Sequence, residues 1–333
     1  MRFYCHLNFS KKLDLIEINI NDYHTVMGKI WIVIVTFNGM QWLPKSLTGS
    51  KTHPVIIVDN NSSDGTVGFI KENFPDVIIL SQKRNLGFGA ANNIGISYAI
   101  NKGASYVFLL NQDAYLLNNC IEKLVKVQKA NLEFGILSPI HLNGKANLLD
   151  EQFSHYMNYN GNKNFYSDFV LGKPIQNLYK VPFVNAAGWL ISKKCLETVG
   201  GFDPIFFHYG EDENYCQRVL FHNFKVGVVT GTYLMHDREF RKKELIKKGS
   251  IAYFNGQARS LMILYANINR EELLALDNSL KNRKMSRLKS MVKLNFKLAK
   301  FYKKEINMLS SIIPQIKKSR EINRNRGANY LNL

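Results

Sequence analysis

Between Ile30 and Asp113 the chain alternates four apolar, β-branched runs with three segments of helical character, and this alternation narrows the choice of fold more than any other feature. The runs "IWIVIVTF", "HPVIIVD", "DVIIL" and "SYVFLLNQD" have no polar face, as strands covered on both sides require. Between them stand "MQWLPKSLTG", then "TVGFIKENF" with Val67, Ile70 and Phe74 at helical spacing, then "GFGAANNIGISYAINKG" closed by Gly103. The order predicts an α/β fold with a mostly parallel sheet flanked by helices. Ligands of such sheets bind beyond the carboxyl ends of the strands. Thr36, Asp59, Arg84 and Asp113 all fall there.

Past about residue 130 the pattern loosens. "FGILSPI", "PFVNAAGWLIS" and "KVGVVTGTYLMHD" read as further strands, and "KKCLETVGGF" and "GEDENYCQRVLFHNF" as helices. From about residue 245 the chain reads as helical. The expected division is an N-terminal extension, 1–28, with Met27 as a candidate natural start; an α/β domain, 29–245, in halves 29–128 and 129–245; and a basic helical region, 246–333. With 46% hydrophobic and 21% charged residues the composition is that of a globular chain. No apolar run nears the ~18 residues of a membrane span, and Asp14 and Glu17 interrupt the only stretch where a signal peptide would need its apolar core. Cysteines 5, 120, 195 and 216 form no C-x-x-C pair, so a reducing, cytoplasmic setting is expected.

The net charge of +18 is concentrated. Residues 281–326 hold 15 Lys/Arg against 2 Asp/Glu. "MSRLKSMVKLNFKLAKFYKKEINML" reads as one amphipathic helix. Lys289, Lys293, Lys297, Lys300 and Lys304 form one stripe, and Leu288, Met291, Val292, Leu298, Ala299, Tyr302 and Ile306 the opposite face. Such a helix either packs on the domain with its basic face solvated or lies on an anionic membrane surface. No nucleic-acid-binding motif accompanies the charge, so nucleic acid is not expected as a partner.

The strand ends carry the chemistry. Asp59 closes an apolar strand where a carboxylate can bond ribose hydroxyls or a base N–H, whereas Ser62 and Asp64 suit the capping of a turn or helix. Gly87-Phe88-Gly89 is not a dinucleotide fingerprint, because the first strand–helix turn is "TFNGMQW" and Asn92 stands at the third glycine position. "NQD" ends the fourth strand. A carboxylate beside a diphosphate repels it unless a hard divalent cation lies between, which makes Asp113 a candidate Mg²⁺ or Mn²⁺ ligand with Asn111 able to offer a carbonyl oxygen. Glu211, Asp212 and Glu213 either favour a helix N-terminus or supply a general base for a hydroxyl acceptor.

Taken together, "IVIVTFNG", "IIVDNNSSDGT", "RNLGFGAANNIG", "LLNQDA", "GGFDPIFFHYGEDENYCQR" and "MHD" resemble a family 2 glycosyltransferase, the GT-A fold group of inverting enzymes. "LLNQDA" is similar to rhamnosyltransferase-like bacterial members that assemble surface polysaccharides. The resemblance covers about two thirds of the chain. It implies a nucleotide-sugar donor, a glycan or lipid-linked acceptor and a divalent cation; the cysteine usage adds a cytoplasmic setting, and the basic tail leaves peripheral contact with the inner face of the cytoplasmic membrane open beside the packed helix. The resemblance puts Thr36, Asn38, Asp59, Asn61, Arg84, Asn85, Gly87, Asn111 and Gln112 on the donor side, and Asp113 and His236 at the metal. Asp212 stands at the base position, with Glu211 as the alternative base, and Gly188, Trp189 and Arg218 fall on the acceptor side. Two positions depart from the family pattern: Asn111 stands for the first acid of a D-x-D motif, and Asn214 for a later Asp of E-D-x-D-x-x-x-R. These two leave a non-catalytic nucleotide-sugar binder as the first alternative; a basic nucleic-acid-binding protein is the second, and it leaves the whole first half unexplained.

Overall fold

The computed structural model describes residues 29–238, 245–271 and 273–333. The expected extension 1–28, with Met27, lies outside them. The first half is built from β1 (Ile30–Thr36), β2 (Val55–Asp59), β3 (Ile78–Ser81) and β4 (Tyr106–Asn111), parallel and in the spatial order β3-β2-β1-β4. Helices α1 (Leu43–Thr48), α2 (Thr66–Asn73) and α3 (Phe88–Asn101) connect them. Register fixes the site: Thr36 pairs with Asp59, and Val35 with Asn111, so three strands end on one edge and their next residues form one rim.

The second half extends the same sheet with mixed direction. Its elements are β5 (Ala114–Leu117), α4 (Cys120–Ala130), β6 (Phe134–Asn143), α5 (Glu151–Met157), α6 (Lys163–Val170), β7 (Leu178–Val181), β8 (Gly188–Ser192), α7 (Lys193–Val199), α8 (Glu211–Phe221) and β9 (Lys225–His236). β8 lies antiparallel to β4, followed by β6, β9 and β5, with β7 also paired to β9. The four-residue strands β5 and β7 and the helices α5 and α6 are too short to show a period and were not anticipated.

Strand alternation splits the core in two. Along β1, Trp31 and Val33 join Val58, Leu109, Trp189, Phe202 and Tyr215 on one face. Ile30, Ile32 and Ile34 join Ile57, Leu110, Leu190 and Leu234 on the other. α3 sits directly on β1, because a Cβ on Gly95 would stand 2.4 Å from a Val33 methyl. At this one position close approach outweighs the poor helix propensity of glycine.

The C-terminal region comprises α9 (Ile251–Tyr265), α10 (Leu273–Val292) and α11 (Phe296–Arg324), with its own core of Leu276, Leu309, Ile312 and Ile316. The single amphipathic helix expected here is instead a hairpin. Leu294 takes a left-handed φ of 54°, and the Asn295 side chain caps α11 by accepting from Leu298 N. The chain then returns to the α/β domain. Gly201 N donates to Asn329 O, Asn332 N to Ser97 Oγ, and Leu331 packs against the first core. Among the described residues no helix is long and apolar enough to cross a membrane.

Candidate active site

Two clefts open beyond the strand ends. The first, about 470 Å³, is lined by Trp42, Asn60, Asn85, Gly87, Gln112 and Asp113, among others. Its walls are tied loop to loop. Gln112 Oε1 accepts from Thr36 Oγ1 at 2.8 Å and from Phe37 N at 3.0 Å. Asn60 Nδ2 donates to Gly87 O, and its Oδ1 accepts from Leu86 N. Gly87 has φ 82°, and a Cβ there would collide with the Phe207 carbonyl, so only glycine lets the two loops meet. Ser62 and Asp64 tie the two loops together, Asn38 N donating to Ser62 Oγ and Met40 N to the Asp64 carboxylate; Asp64 also accepts from Thr66 N at the start of α2, whose N-cap is Gly65, and Ser62 caps no helix.

Thr36 and Asp59 are buried and lie outside this cleft's lining. Asp59 is the foundation of the loop above it, both carboxylate oxygens standing 3.3 Å from Ser62 N, which donates to them. Asn60, which follows it, is what reaches the cleft. Asn38, Asn61 and Arg84 are exposed and also outside the lining. We expect Asp59→Ala to weaken nucleoside diphosphate binding by roughly 3–10-fold, on the scale of a lost backbone cap, equally with and without Mn²⁺. Calorimetry that finds the loss only with metal present would reverse this assignment.

The second cleft, about 620 Å³, is lined by Asp150, Tyr156, Asn185, Glu211, Asp212 and Arg238, among others, and shares Phe88, Asn111, His208 and Tyr209 with the first. The acids come from the start of α8, whose chain enters through Gly210 at φ 94°. Their environments differ. Glu211 is buried, with Oε2 lacking a partner; burial, reinforced by the adjacent Asp212 charge, pushes its carboxyl up to about 8. Near pH 7 it is therefore a neutral acid and a poor proton acceptor. Burial also raises Asp212, but the backbone N–H groups of Glu213 and Ala186 and the nearby Arg238 charge favour its carboxylate form. The Glu213 N–H stands 2.8 Å from Asp212 Oδ1. Two neighbouring carboxyls held apart in this way are suited to different roles.

This burial has a stability signature. A carboxyl whose folded-state value lies above its ordinary 4.5 stabilises the fold fully at low pH and loses that contribution as pH rises towards 8. Glu211→Gln should therefore flatten the fall in wild-type stability across that window. Urea unfolding at pH 5 and pH 8.5 measures it; parallel losses in both proteins would show that Glu211 is not the group responsible.

At the back of the clefts, His236 Nε2 stands 3.5 Å from Asp113 Oδ1, and Arg238 Nε stands 3.1 Å from His236 Nδ1 and 3.3 Å from Asp150 Oδ2. The β5–β9 ladder sets the first pair, since Asp237 N donates to Asp113 O. His141, buried, hydrogen-bonded to Ser138 and kept neutral by burial, packs edge-on behind His236. Asn111 Oδ1 is buried at the junction of the clefts without a hydrogen bond. One carboxylate, one imidazole and an available amide oxygen fit a hard divalent cation that takes its remaining ligands from phosphate oxygens. Among the described residues no group of three or more His, Cys, Asp or Glu is placed to hold a metal by itself.

Three acceptor-side expectations are corrected. Gly188 lies within the sheet, where a Cβ would strike Leu234. Trp189 is fully buried and stacked on Phe202. Arg218, also fully buried, donates to Val199 O and Gly201 O and lies over Tyr215 and Tyr330. It braces the loop before α8 and does not face the cleft. Asn214 is buried outside both linings. Sequence reasoning missed Asn60, Asp150, Tyr156 and Arg238. "MHDR" held the signal for Arg238, two residues past His236 and on the same side of an extended chain.

Comparisons with known proteins identify the family and the fold. The model of glycosyl transferase family 2 matches residues 31–200, more than half of the chain. The dTDP-rhamnosyl transferase RfbF of Shigella flexneri is 28% identical over 216 residues, 63% of this chain and 69% of the relative. The low-salt glycan biosynthesis hexosyltransferase Agl10 of Haloferax volcanii is 24% identical over 209 residues, 61% and 65%. Among solved structures, GalNAc-T7 with UDP, GalNAc and Mn²⁺ superimposes with a TM-score of 0.54 at 16% identity, covering 71% of this chain and 47% of that one. The mannosyltransferase PcManGT of Pyrobaculum calidifontis, in complex with GDP-Man and Mn²⁺, gives 0.50 at 13% identity, covering 89% and 86%. These two likenesses are of fold. The strand-end clefts, the order of the motifs and the family match converge, and the chain belongs to glycosyl transferase family 2 as a glycosyltransferase with a GT-A type fold.

Proposed function

We propose that the protein is an inverting transferase that moves a hexose or deoxyhexose, with dTDP-rhamnose the first donor to try, from a nucleoside diphosphate to a hydroxyl of a glycan or lipid-linked glycan at the inner face of the cytoplasmic membrane. The observation that supports this most is the meeting of the two clefts at Asn111, with Asp113 in the lining of one and Asp212 in the lining of the other. The donor's diphosphate lies along Gly87 and Asn111–Asp113, and the acceptor enters beside Asp212. Asp212 takes the proton of the acceptor hydroxyl as its oxygen attacks the anomeric carbon. The bond from that carbon to the diphosphate oxygen breaks, the nucleotide leaves with the electron pair, and configuration inverts, because no protein nucleophile intervenes. Neutral Glu211 leaves proton abstraction to its neighbour. Asp113 and His236 would hold Mg²⁺ or Mn²⁺, which when bound neutralises charge developing on the leaving group.

A thermal-shift screen of nucleoside diphosphates with and without Mn²⁺ tests the donor side. A ligand that binds only the folded state at 100 times its Kd stabilises by about 2.7 kcal/mol. One base should stand out, more strongly with Mn²⁺. If no diphosphate stabilises the protein under either condition, the donor assignment is lost.

A further inference from the structure

The hairpin of α10 and α11 ends in a surface that the α/β site does not use. Met291 to Leu298 are all exposed, and five of these eight residues are apolar. Val292 is 77% exposed, Leu294 73% and Phe296 68%. Met285 and Leu288 extend the apolar group along α10. Leu294 occupies the left-handed position that ends a helix, a place where glycine or asparagine is ordinary and a leucine is strained. Its side chain gains no burial in return.

Around these side chains the charge has one sign. Lys281 to Lys304 hold ten Lys/Arg and no Asp or Glu, with Lys289, Lys293, Lys297 and Lys300 exposed. A second apolar group stands nearby. Leu245, Ile246 and Ile251 are exposed in the segment leading into α9, and that segment is held to α11 by Lys304 Nζ, which donates to Gly249 O beside Phe301. Phe301 lies only about 8 Å of helix rise from Phe296.

The far end of the hairpin is fixed. Ser319 Oγ and Asn323 Nδ2 both donate to Asp203 Oδ2 at 2.6 Å, and His222 bonds Asn323 O at 2.9 Å. The hairpin is thus an arm anchored in the catalytic domain with an apolar, basic-collared tip.

We propose that this tip docks on an anionic lipid bilayer. Leu294, Phe296 and Val292 enter the boundary between headgroups and acyl chains, and the lysines that flank them meet lipid phosphates. A second copy of the chain would bring its own ten positive charges against these. A nucleic acid would satisfy the lysines and leave the apolar side chains in water. The proposal specifies how the enzyme reaches the membrane face named above and rests on that reading for the acceptor's location alone.

Sedimentation of the full chain with vesicles tests it. Vesicles of phosphatidylglycerol and phosphatidylcholine should bind at least tenfold more tightly than pure phosphatidylcholine, with weakening as salt is raised. The double variant Leu294→Asp, Phe296→Asp should lose at least tenfold of that binding while keeping its thermal unfolding and its stabilisation by nucleoside diphosphate. The triple variant Lys293→Gln, Lys297→Gln, Lys300→Gln should lose most of the salt dependence. No preference for anionic vesicles overturns the proposal, as does a Leu294→Asp, Phe296→Asp protein that binds them like wild type. So does ultracentrifugation in which that double variant dissolves an oligomer and leaves vesicle binding untouched. A protein that binds vesicles but no nucleoside diphosphate would instead strike the transferase reading and leave the tip standing.

Discussion

Asp212→Asn is expected to hold donor affinity within about twofold of wild type and to lower turnover by ~10²–10⁴, the range of general acid–base catalysis. The asymmetry follows from what a base does. It acts on the attacking hydroxyl, so its contribution appears in the transition state and hardly at all in the ground state. Asparagine preserves size and one acceptor oxygen, so the Glu213 N–H at 2.8 Å keeps a partner. Glu211→Gln is the paired measurement. Because burial keeps Glu211 protonated near neutral pH, the amide should replace a neutral acid at a cost of less than about tenfold in turnover, against ~10²–10⁴ for Asp212. Should Glu211→Gln abolish turnover while Asp212→Asn retains it, the base is one residue earlier than assigned here. Should both retain it, the mechanism itself fails.

Asp113→Ala should remove most metal-dependent donor binding. A diphosphate beside a carboxylate needs a cation between them, and Asp113 is the carboxylate that His236 accompanies at 3.5 Å. Its loss leaves an imidazole and an amide oxygen, a weak set for a hard divalent ion. We expect nucleoside diphosphate affinity in the presence of Mn²⁺ to fall by about 100-fold, the upper end of what losing even an outer-shell partner of a metal ligand costs, and affinity without metal to change little. Titration calorimetry under both conditions separates the effects. Equal affinity with Mn²⁺ before and after the substitution would remove Asp113 from the site.

The sheet was legible because β1, β2 and β4 are continuous apolar runs of five to seven residues, buried almost throughout, and α3 between β3 and β4 begins on a recognisable turn residue, Gly87. The same signal located the strand-end acids, since a carboxylate following an all-apolar run is conspicuous. What stayed hidden depends on register and long-range packing. Asp150 is the N-cap of a seven-residue helix and reads as nothing more. The β6–β9 ladder, the Asp150 N–H donated to His141 O and the Arg238 contact bring it to His236. Arg218 was misplaced for the opposite reason. It belongs to a recognisable motif, yet the strong charge that suggests a ligand is spent on two carbonyls of the loop before α8. The basic tail was read correctly for charge and wrongly for shape, because the lysine spacing runs unbroken through the turn that Leu294 and Asn295 make.

The return of residues 327–333 onto α3 and the chain at the end of α7 bears on how the chain acquires its structure during synthesis. Asn332 N meets Ser97 Oγ across a separation of 235 residues, and the Asn101 side chain donates to Asn332 O across 231. Leu331 packs against the same core as Val33 and Trp189. The first half of the α/β domain leaves the ribosome first and can form its parallel strands early, but the outer face of α3 stays uncovered until some 230 more residues have emerged. At ~5–20 residues per second that interval is on the order of ten seconds to most of a minute. A translational stop between residues 238 and 327 would release a domain with every catalytic side chain present and one side of its core open to other exposed chains.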